Sequence, residues 1–409
     1  MQIHLSVLGD SRREVKTMHD RRLLWTVSFH HLCNDGTLMV LVAVIPVLVD
    51  VMDLSYYDVG ILGLTLAITV IAQFMVGKYT DRRFSVYVLE IGVALMAMSF
   101  LLLLLVNDFK GILLAVIAMR VGAAFYHPVG ISWITRAYAG PGLDRALGVQ
   151  SGFGNMGVIL ALASSGYLAE SFSWKIPCVI WALLNIAAIA VGLSVINRSS
   201  EMSGPARSKE PIGSVLTLRK IGWLTVPIIA GGALYQVTSY FGPLNLTTSA
   251  LQWTAGDADL MFAIWIGVGT VTSYYFGSFS SRFGRTKILW AAYTISSVAA
   301  VILAITALWY VVAPTLVFYG ALLFITYPAL FALVTEATHE NERGTAFGII
   351  FGFQLGGGAI LVYACGAVAE AFGDPAYAFI IVSVLSAVSL VFLKVWEMDQ
   401  RIRSEKKAA

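Results

Sequence analysis

Twelve apolar runs, each close to 20 residues long and set off by charges, Gly or Pro, constrain this chain more than any other feature. A helix needs about 20 apolar residues to cross the hydrocarbon core of a bilayer, so each run reads as a transmembrane span. The runs cover roughly residues 23–51, 59–76, 86–106, 111–138, 146–168 and 176–196, then 221–246, 260–279, 288–308, 312–334, 344–368 and 377–395. Met1 to Arg22 is too charged for a signal peptide, and the first run lacks a small-residue cleavage site, so it is kept as a span behind an N-terminal tail. Asn197 to Lys220, with Ser199, Ser200, Gly204, Pro205 and Pro211, is the one long polar linker. It divides a six-span half, 23–196, from a second, 221–395, and a short tail, 396–409, closes the chain.

Composition agrees with a bilayer and excludes other classes. Hydrophobic residues make up 58% and charged residues 12%, the latter about half the usual globular share. A scattered net charge of +3 gives no footprint for nucleic acid. Cys33, Cys178 and Cys365 lie inside apolar runs at unrelated spacings and read as packing residues. No Walker motif, His-Glu-x-x-His or Cys-x-x-Cys pattern occurs, so neither ATP-driven pumping, a metal centre, a cofactor nor enzyme chemistry is expected.

Lys and Arg set the orientation, because basic residues collect in cytoplasmic loops. With the N-terminus inside, 24 of the 27 fall on the cytoplasmic side; only Lys110 and Lys175 lie opposite, and Arg120 lies within the fourth span. Both termini are then cytoplasmic. An internal repeat supports the same count. A shift of 200 residues aligns Gly77 with Gly277, Arg82 with Arg282, Pro128 with Pro328, Gly148 with Gly348 and Gly157 with Gly357. It also aligns Gly152-Phe153 with Gly352-Phe353, Gly166 with Gly366, and Ala169-Glu170 with Ala369-Glu370. The expected fold is all-α and integral to the membrane: twelve transmembrane helices in two pseudo-symmetric six-helix halves, with a solute site between them.

Gly77-Lys-Tyr-Thr-Asp81-Arg82-Arg83 follows the second span, and Gly277-Ser-Phe-Ser-Ser281-Arg282-Phe283-Gly284-Arg285 follows the eighth. Both resemble the loop signature of the major facilitator superfamily. The resemblance implies a gating latch, with glycine allowing close helix approach and the arginines pairing across the seam. Ser281 replaces the acid in the second copy, which weakens the latch there. A purely topogenic basic loop is the alternative.

Ionisable groups at membrane depth are the next filter, because they are costly and face polar cavities. Asp35 lies about 18 Å into the first span. His31 and Asp35 are four apart and share a face, as do His30 and Asn34. The fourth span carries Arg120 and, seven residues on, His127-Pro128 at similar depth. Glu90, at the start of the third span, is read as free to reach the interface; Glu170, Glu370 and Asp374 are read as solvated loop groups. The glycines of the fifth and eleventh spans, including Gly356-Gly357-Gly358, permit close packing or sliding. Gln150, Asn155, Tyr235, Gln236, Trp265 and Gln354 are polar or aromatic groups inside apolar spans and candidate wall residues, with packing as the plainer role.

His31-x-x-Asn34-Asp35, Phe125-Tyr126-His127-Pro128 and Gln150-Ser-Gly-Phe-Gly-Asn155-Met-Gly157 resemble the fosmidomycin-resistance branch of the superfamily. That resemblance implies a proton-driven drug exporter. Val129 replaces the acid usual after the His-Pro pair, and the fifth span lacks the proline of the antiporter signature. On this reading Asp35, His31 and His127 couple to protons. Arg120, His30, Asn34, Tyr126, Gln150, Asn155, Tyr235, Gln236, Trp265 and Gln354 are candidates to contact a small amphipathic or anionic solute. Gly77, Asp81, Arg82, Arg83, Gly277, Arg282 and Arg285 serve gating. The expected partners are the solute, protons and lipid, with the chain a monomer in the cell membrane. An uptake symporter or anion exchanger using Arg120 is the first rival, and a non-transporting receptor or scaffold the second.

Overall fold

The computed structural model describes residues 3–82, 85–138, 141–196, 220–248, 252–306, 308–338 and 343–408, and among these every regular element is helical. Arg83 and most of the linker, 197–219, lie outside the described residues, as do the side chains of Asp81 and Arg82. In chain order the first six spans are α1 (Ile3–Met52), α2 (Tyr56–Leu64) with α3 (Leu66–Arg82), α4 (Tyr87–Leu103), α5 (Phe109–Ala123) with α6 (Tyr126–Ala137), α7 (Pro141–Ser171) and α8 (Lys175–Ile196). The second six are α9 (Thr225–Thr248), α10 (Ala255–Tyr274) with α11 (Phe276–Phe283), α12 (Arg285–Ile305), and α13 (Trp309–Leu323) with α14 (Thr326–Ala337). They end with α15 (Arg343–Phe351), joined through a π-turn at Gly352–Gly356 to α16 (Gly357–Phe372), and α17 (Tyr377–Ala408).

Among the described residues nine helices are long and apolar enough to cross a membrane, and a tenth span forms if the pair α10 and α11, bent by 58°, counts as one. The other two expected spans are also helices. One, α4, is apolar but only 17 residues long; the other, α9, has 24 residues but carries Thr, Gln, Tyr and Asn along its length.

The repeat read in the sequence reappears as matched irregularities. The fourth and tenth spans both break at the same place, after Ala123 and Leu323, and restart at Tyr126 and Thr326. Pro128 and Pro328 explain this, since each lacks the N–H that would bond the carbonyl four residues back and its ring crowds that carbonyl. In the first copy the gap is bridged by tighter bonds, from the Ala124 and Phe125 amides to the carbonyls of Val121 and Gly122. The straight-helix register expected from Arg120 to His127 therefore does not hold across the gap. The second and eighth spans break as well, at Thr65 and Tyr275.

Contacts divide the chain into two compact units, which are described separately. The first comprises Met1–Val40, Ile71–Ala161 and Lys175–Ser208; the second comprises Leu41–Val70, Leu162–Trp174 and Lys209–Ala409. In the first unit an apolar cluster around Leu23, Val27, Leu89, Tyr126 and Trp133 is fully or almost fully buried. Helices there meet through glycine: a Cβ on Gly157 would lie 2.1 Å from the Leu32 carbonyl, and one on Gly92 would lie 2.7 Å from the Gly122 carbonyl. The second unit uses the same device, with a Cβ on Gly232 only 2.1 Å from the Gln354 carbonyl. All three cysteines are buried thiols outside any disulfide, as expected of packing residues.

The signature loops correct one expectation. A Cβ on Gly77 would meet only Pro128 at 3.9 Å, and one on Gly277 would meet nothing within 4 Å, so neither glycine is required by close helix approach. The position that needs glycine is Gly284, at φ 82°. Arg285 pairs with Glu336, and the Arg282 guanidinium lies over its neighbour's ring, Phe283, at 5.3 Å.

Candidate functional site

Three of the ionisable groups predicted at membrane depth come together in the first unit. Ligand-capable atoms of His31, Asp35 and His127 all lie within 4.8 Å of one another. His31 and Asp35 meet because they stand one helical turn apart on α1. Their contact, Nε2 to Oδ2 at 3.0 Å, is an ion pair rather than an aligned hydrogen bond. The other ring nitrogen, Nδ1, lies 2.8 Å from the backbone carbonyl of Gln150.

That carbonyl can only accept, so Nδ1 carries a hydrogen. The lone pair of a neutral ring would then face a carboxylate across 3.0 Å, which is repulsive unless a proton sits between them. The proton can ride on the imidazole or on the acid, and either way the pair carries it. The rest of the surroundings fix the ring. His31 stacks on Tyr126 at 4.3 Å between centroids, and His127 approaches both rings edge-on at 5.3 Å. Tyr126 donates its hydroxyl to Gln150 Oε1 at 2.8 Å. A Cβ on Gly154 would strike the His31 ring at 2.6 Å, so glycine there makes the seat for it.

Asp35 is held on its other side by Asn34, whose amide donates to Oδ1 at 2.9 Å. Its side chain keeps 24% exposure, against 7% for His31. The basic side chains beside Asp35 are His31 and His127; Arg120 is buried in α5. Gln150 is buried and committed to Tyr126, Ser151 and, through its backbone, His31, which makes it a positioning residue. Asn155 is half-buried on α7.

His30 was expected to share a face with Asn34, and Glu90 to reach the interface. Instead the two pair with each other. His30 Nε2 lies 3.1 and 3.2 Å from the Glu90 carboxylate oxygens, and Nδ1 lies 2.8 Å from the Thr26 carbonyl. Side-chain exposure is 0% and 7%. Glu90 turns inward because Gly192 on α8 leaves room for it: a Cβ there would lie 2.0 Å from Oε1. The partners are 60 residues apart, so local spacing carried no signal of the pair. The same sealing leaves His30 no ring nitrogen to offer a solute.

In the second unit the candidates separate into two kinds. Trp265 is fully buried at the centre of an aromatic group, stacked on Tyr235 at 5.8 Å and met edge-on by Phe262 and Phe324. Its indole N–H has no hydrogen-bond partner among the described residues. Gln236 and Gln354 are buried polar groups, and the Gln354 amide nitrogen is likewise unpartnered. Gln354 sits in the π-turn, an irregularity often found at functional sites.

Asp259 was missed altogether. It is completely buried in the first turns of α10, and neither carboxylate oxygen has a hydrogen-bond partner among the described residues. The expected eighth span begins at residue 260, one residue after Asp259.

Paired apolar spans repeated about a pseudo-symmetry, with titratable side chains buried at depth, define a polytopic solute carrier. The profile of the Major Facilitator Superfamily matches residues 27–360 and 243–409, and the chain belongs to that family. It is 22% identical over 372 residues to the fosmidomycin resistance protein of Escherichia coli (strain K12), covering 89% of this chain and 90% of that one. It is 24% identical over 371 residues to the uncharacterized MFS-type transporter YfnC of Bacillus subtilis (strain 168), covering 86% and 87%. Among solved structures it is similar to the nucleoside transporter NupG, with a TM-score of 0.72, 16% identity and coverage of 93% and 98%. It is also similar to the POT family transporter PepTSo, at 0.76, 10%, 93% and 98%. The chain is therefore a multi-pass membrane transporter, and the structural likenesses speak to its fold alone.

Proposed function

We propose that this transporter exports a small amphipathic or anionic compound in exchange for protons, and that the His31–Asp35 pair is the proton carrier. One observation carries the reading: with Nδ1 on the Gln150 carbonyl, His31 sets Nε2 3.0 Å from the Asp35 carboxylate, while Asp35 remains partly open. A solute whose binding displaces that proton, or requires its return, is coupled to the proton gradient. His127 tunes the pair, Asn34 and Tyr126 orient it, and Arg120 supplies positive charge in the same unit. Tyr235, Trp265, Gln236 and Gln354 serve the second unit's share of recognition; the buried N–H groups of Trp265 and Gln354, without hydrogen-bond partners among the described residues, would meet a solute acceptor once the site opens.

The termini and the linker face the cytoplasm of a cell membrane, and the chain works as a monomer of two six-helix halves, 23–196 and 221–395. The loops after the second and eighth spans then form the cytoplasmic latch, through Gly77, Asp81, Arg82, Arg83, Gly277, Arg282 and Arg285. The name of the Escherichia coli relative supports a drug-like cargo. Proteoliposomes loaded with a pH-sensitive dye and offered a panel of phosphonates, nucleosides and amphipathic drugs test the coupling. The expected outcome is compound-dependent proton movement opposite in direction to the solute. Proton movement in the same direction as the solute would replace antiport with symport.

A further inference from the structure

The second unit repeats one design twice around a cavity of about 970 Å³, whose lining includes Asp53, Tyr56, Glu170, Ala255 and Glu370. Asp53 and Gln252, both left-handed at φ 52° and 45°, turn the chain two residues before the helix N-caps Ser55 and Thr254. Behind each N-cap a glutamate from another span meets the free N–H groups of the first turn. Glu370 accepts from Tyr56 at 2.9 Å; Glu170 accepts from Ala255 and Gly256 at 2.5 and 3.1 Å. Carboxylates are favoured there by the helix dipole. One turn before each glutamate is a glycine at a close approach. A Cβ on Gly366 would meet the Tyr56 carbonyl at 2.6 Å, and one on Gly166 the Ala255 carbonyl at 2.7 Å. The two closures thus share a turn, a cap, a carboxylate and a glycine.

They differ at the fifth residue after the cap. In the first closure that residue is Gly60, packed against the Gly366 backbone. In the second it is Asp259, whose Oδ2 would lie 2.5 Å from a Cβ on Gly166. So a carboxylate occupies the place where its counterpart has no side chain at all. It has no exposure and no aligned hydrogen bond. The groups around it are acidic or neutral: Glu170 from the end of α7, and Tyr167, which donates to Asp257 Oδ1 at 2.7 Å. A fully buried anion that meets the Gly166 amide but lies beside a second anion is disfavoured, whereas a carboxylic acid is tolerated there.

We propose that Asp259 is a second proton-binding site, which closes the cavity-side gate when occupied and releases it when empty. On closing, an external proton adds to one Asp259 oxygen and α7 packs over the neutral acid. On opening, the proton leaves to water in the cavity lined by Glu170. In the orientation proposed above this gate is external, so loading a proton from outside returns the carrier toward its inward-facing state. The inference shares that orientation with the proposed function but makes no use of Asp35.

Spin labels at the exposed Phe172, just past α7, and Phe372, the last residue of α16, report the gate as a distance distribution in lipid nanodiscs without any solute. One linked proton changes the open-to-closed ratio by up to about tenfold per pH unit. The open population is therefore expected to rise as the pH is raised. Asp259→Asn should hold the gate closed throughout, and Asp259→Gly, which copies Gly60, should remove the pH response should the amide variant fail to fold. Asp35→Asn should keep it. A pH-independent parent, an unchanged response in either Asp259 variant, or its loss in Asp35→Asn would overturn the assignment. Failure of Asp35 to couple transport would leave it intact.

Discussion

His30–Glu90 and His31–Asp35 are neighbours on one helix and follow the same pattern. In each, Nδ1 is tied to a backbone carbonyl and Nε2 faces a carboxylate. In each, a glycine on another helix makes the space, Gly192 for Glu90 and Gly154 for His31. The pairs differ in access. Glu90 keeps 7% side-chain exposure and Asp35 keeps 24%. The sealed pair has no route for proton exchange without helix separation, so it belongs to the framework. The open pair can trade its proton with a cavity. Chemistry alone does not distinguish a structural ion pair from a coupling one; solvent access does.

Neutralising each acid should break the comparison most sharply. Asp35→Asn is expected to abolish proton-driven accumulation, while solute binding, read by tryptophan quenching or direct titration, changes by less than about threefold. Glu90→Ala should do the reverse. Removing one partner of a buried ion pair costs about 3–5 kcal/mol, read as a lower unfolding temperature in detergent, with the coupling ratio of surviving protein unchanged. Proton-driven accumulation by Asp35→Asn, or altered coupling in a fully stable Glu90→Ala, would erase the distinction.

The glycine seats sharpen it at smaller magnitude. Gly154→Ala and Gly192→Ala should each cost about 1–3 kcal/mol of stability through overpacking. Only Gly154→Ala, by pushing the His31 ring, should also move the pH profile of transport. Equal pH shifts in both variants would mean that the two pairs communicate. The smallest effect is expected from His127→Ala. His127 meets its neighbours through edge-on ring contacts, so transport should persist with a displaced pH optimum and a KM within about threefold of the parent. A large loss of affinity would make His127 a solute contact instead.

The sequence made some of this legible and hid the rest for physical reasons. Span positions follow from apolar run lengths, and the repeat from matched Pro, Arg and Glu, because these features are local or periodic. His31 and Asp35 were paired correctly for the same reason: four residues on a helix is one turn. His30 and Glu90 were misread because their contact depends on how α1 and α4 are rotated, which spacing within either helix does not encode. Gly77 and Gly277 carried a motif-level expectation of close packing that their open surroundings do not support. Asp259 fell one residue outside an apolar run, where an acid looks like an ordinary helix start. Its strangeness is visible only once Gly166 and Glu170 are brought against it.

The pinned ring of His31 has a consequence for traffic. Imidazoles often pass protons along by accepting at one nitrogen, releasing at the other and then turning over. Here one nitrogen is occupied by the Gln150 carbonyl and the ring is wedged between Tyr126 and Gly154, so turning over would require its seat to come apart. Among the described residues the pair's doorway is the open edge of Asp35. Whatever arrives there must leave by the same opening, and the only way to send it out on the other side is to change which compartment that doorway faces.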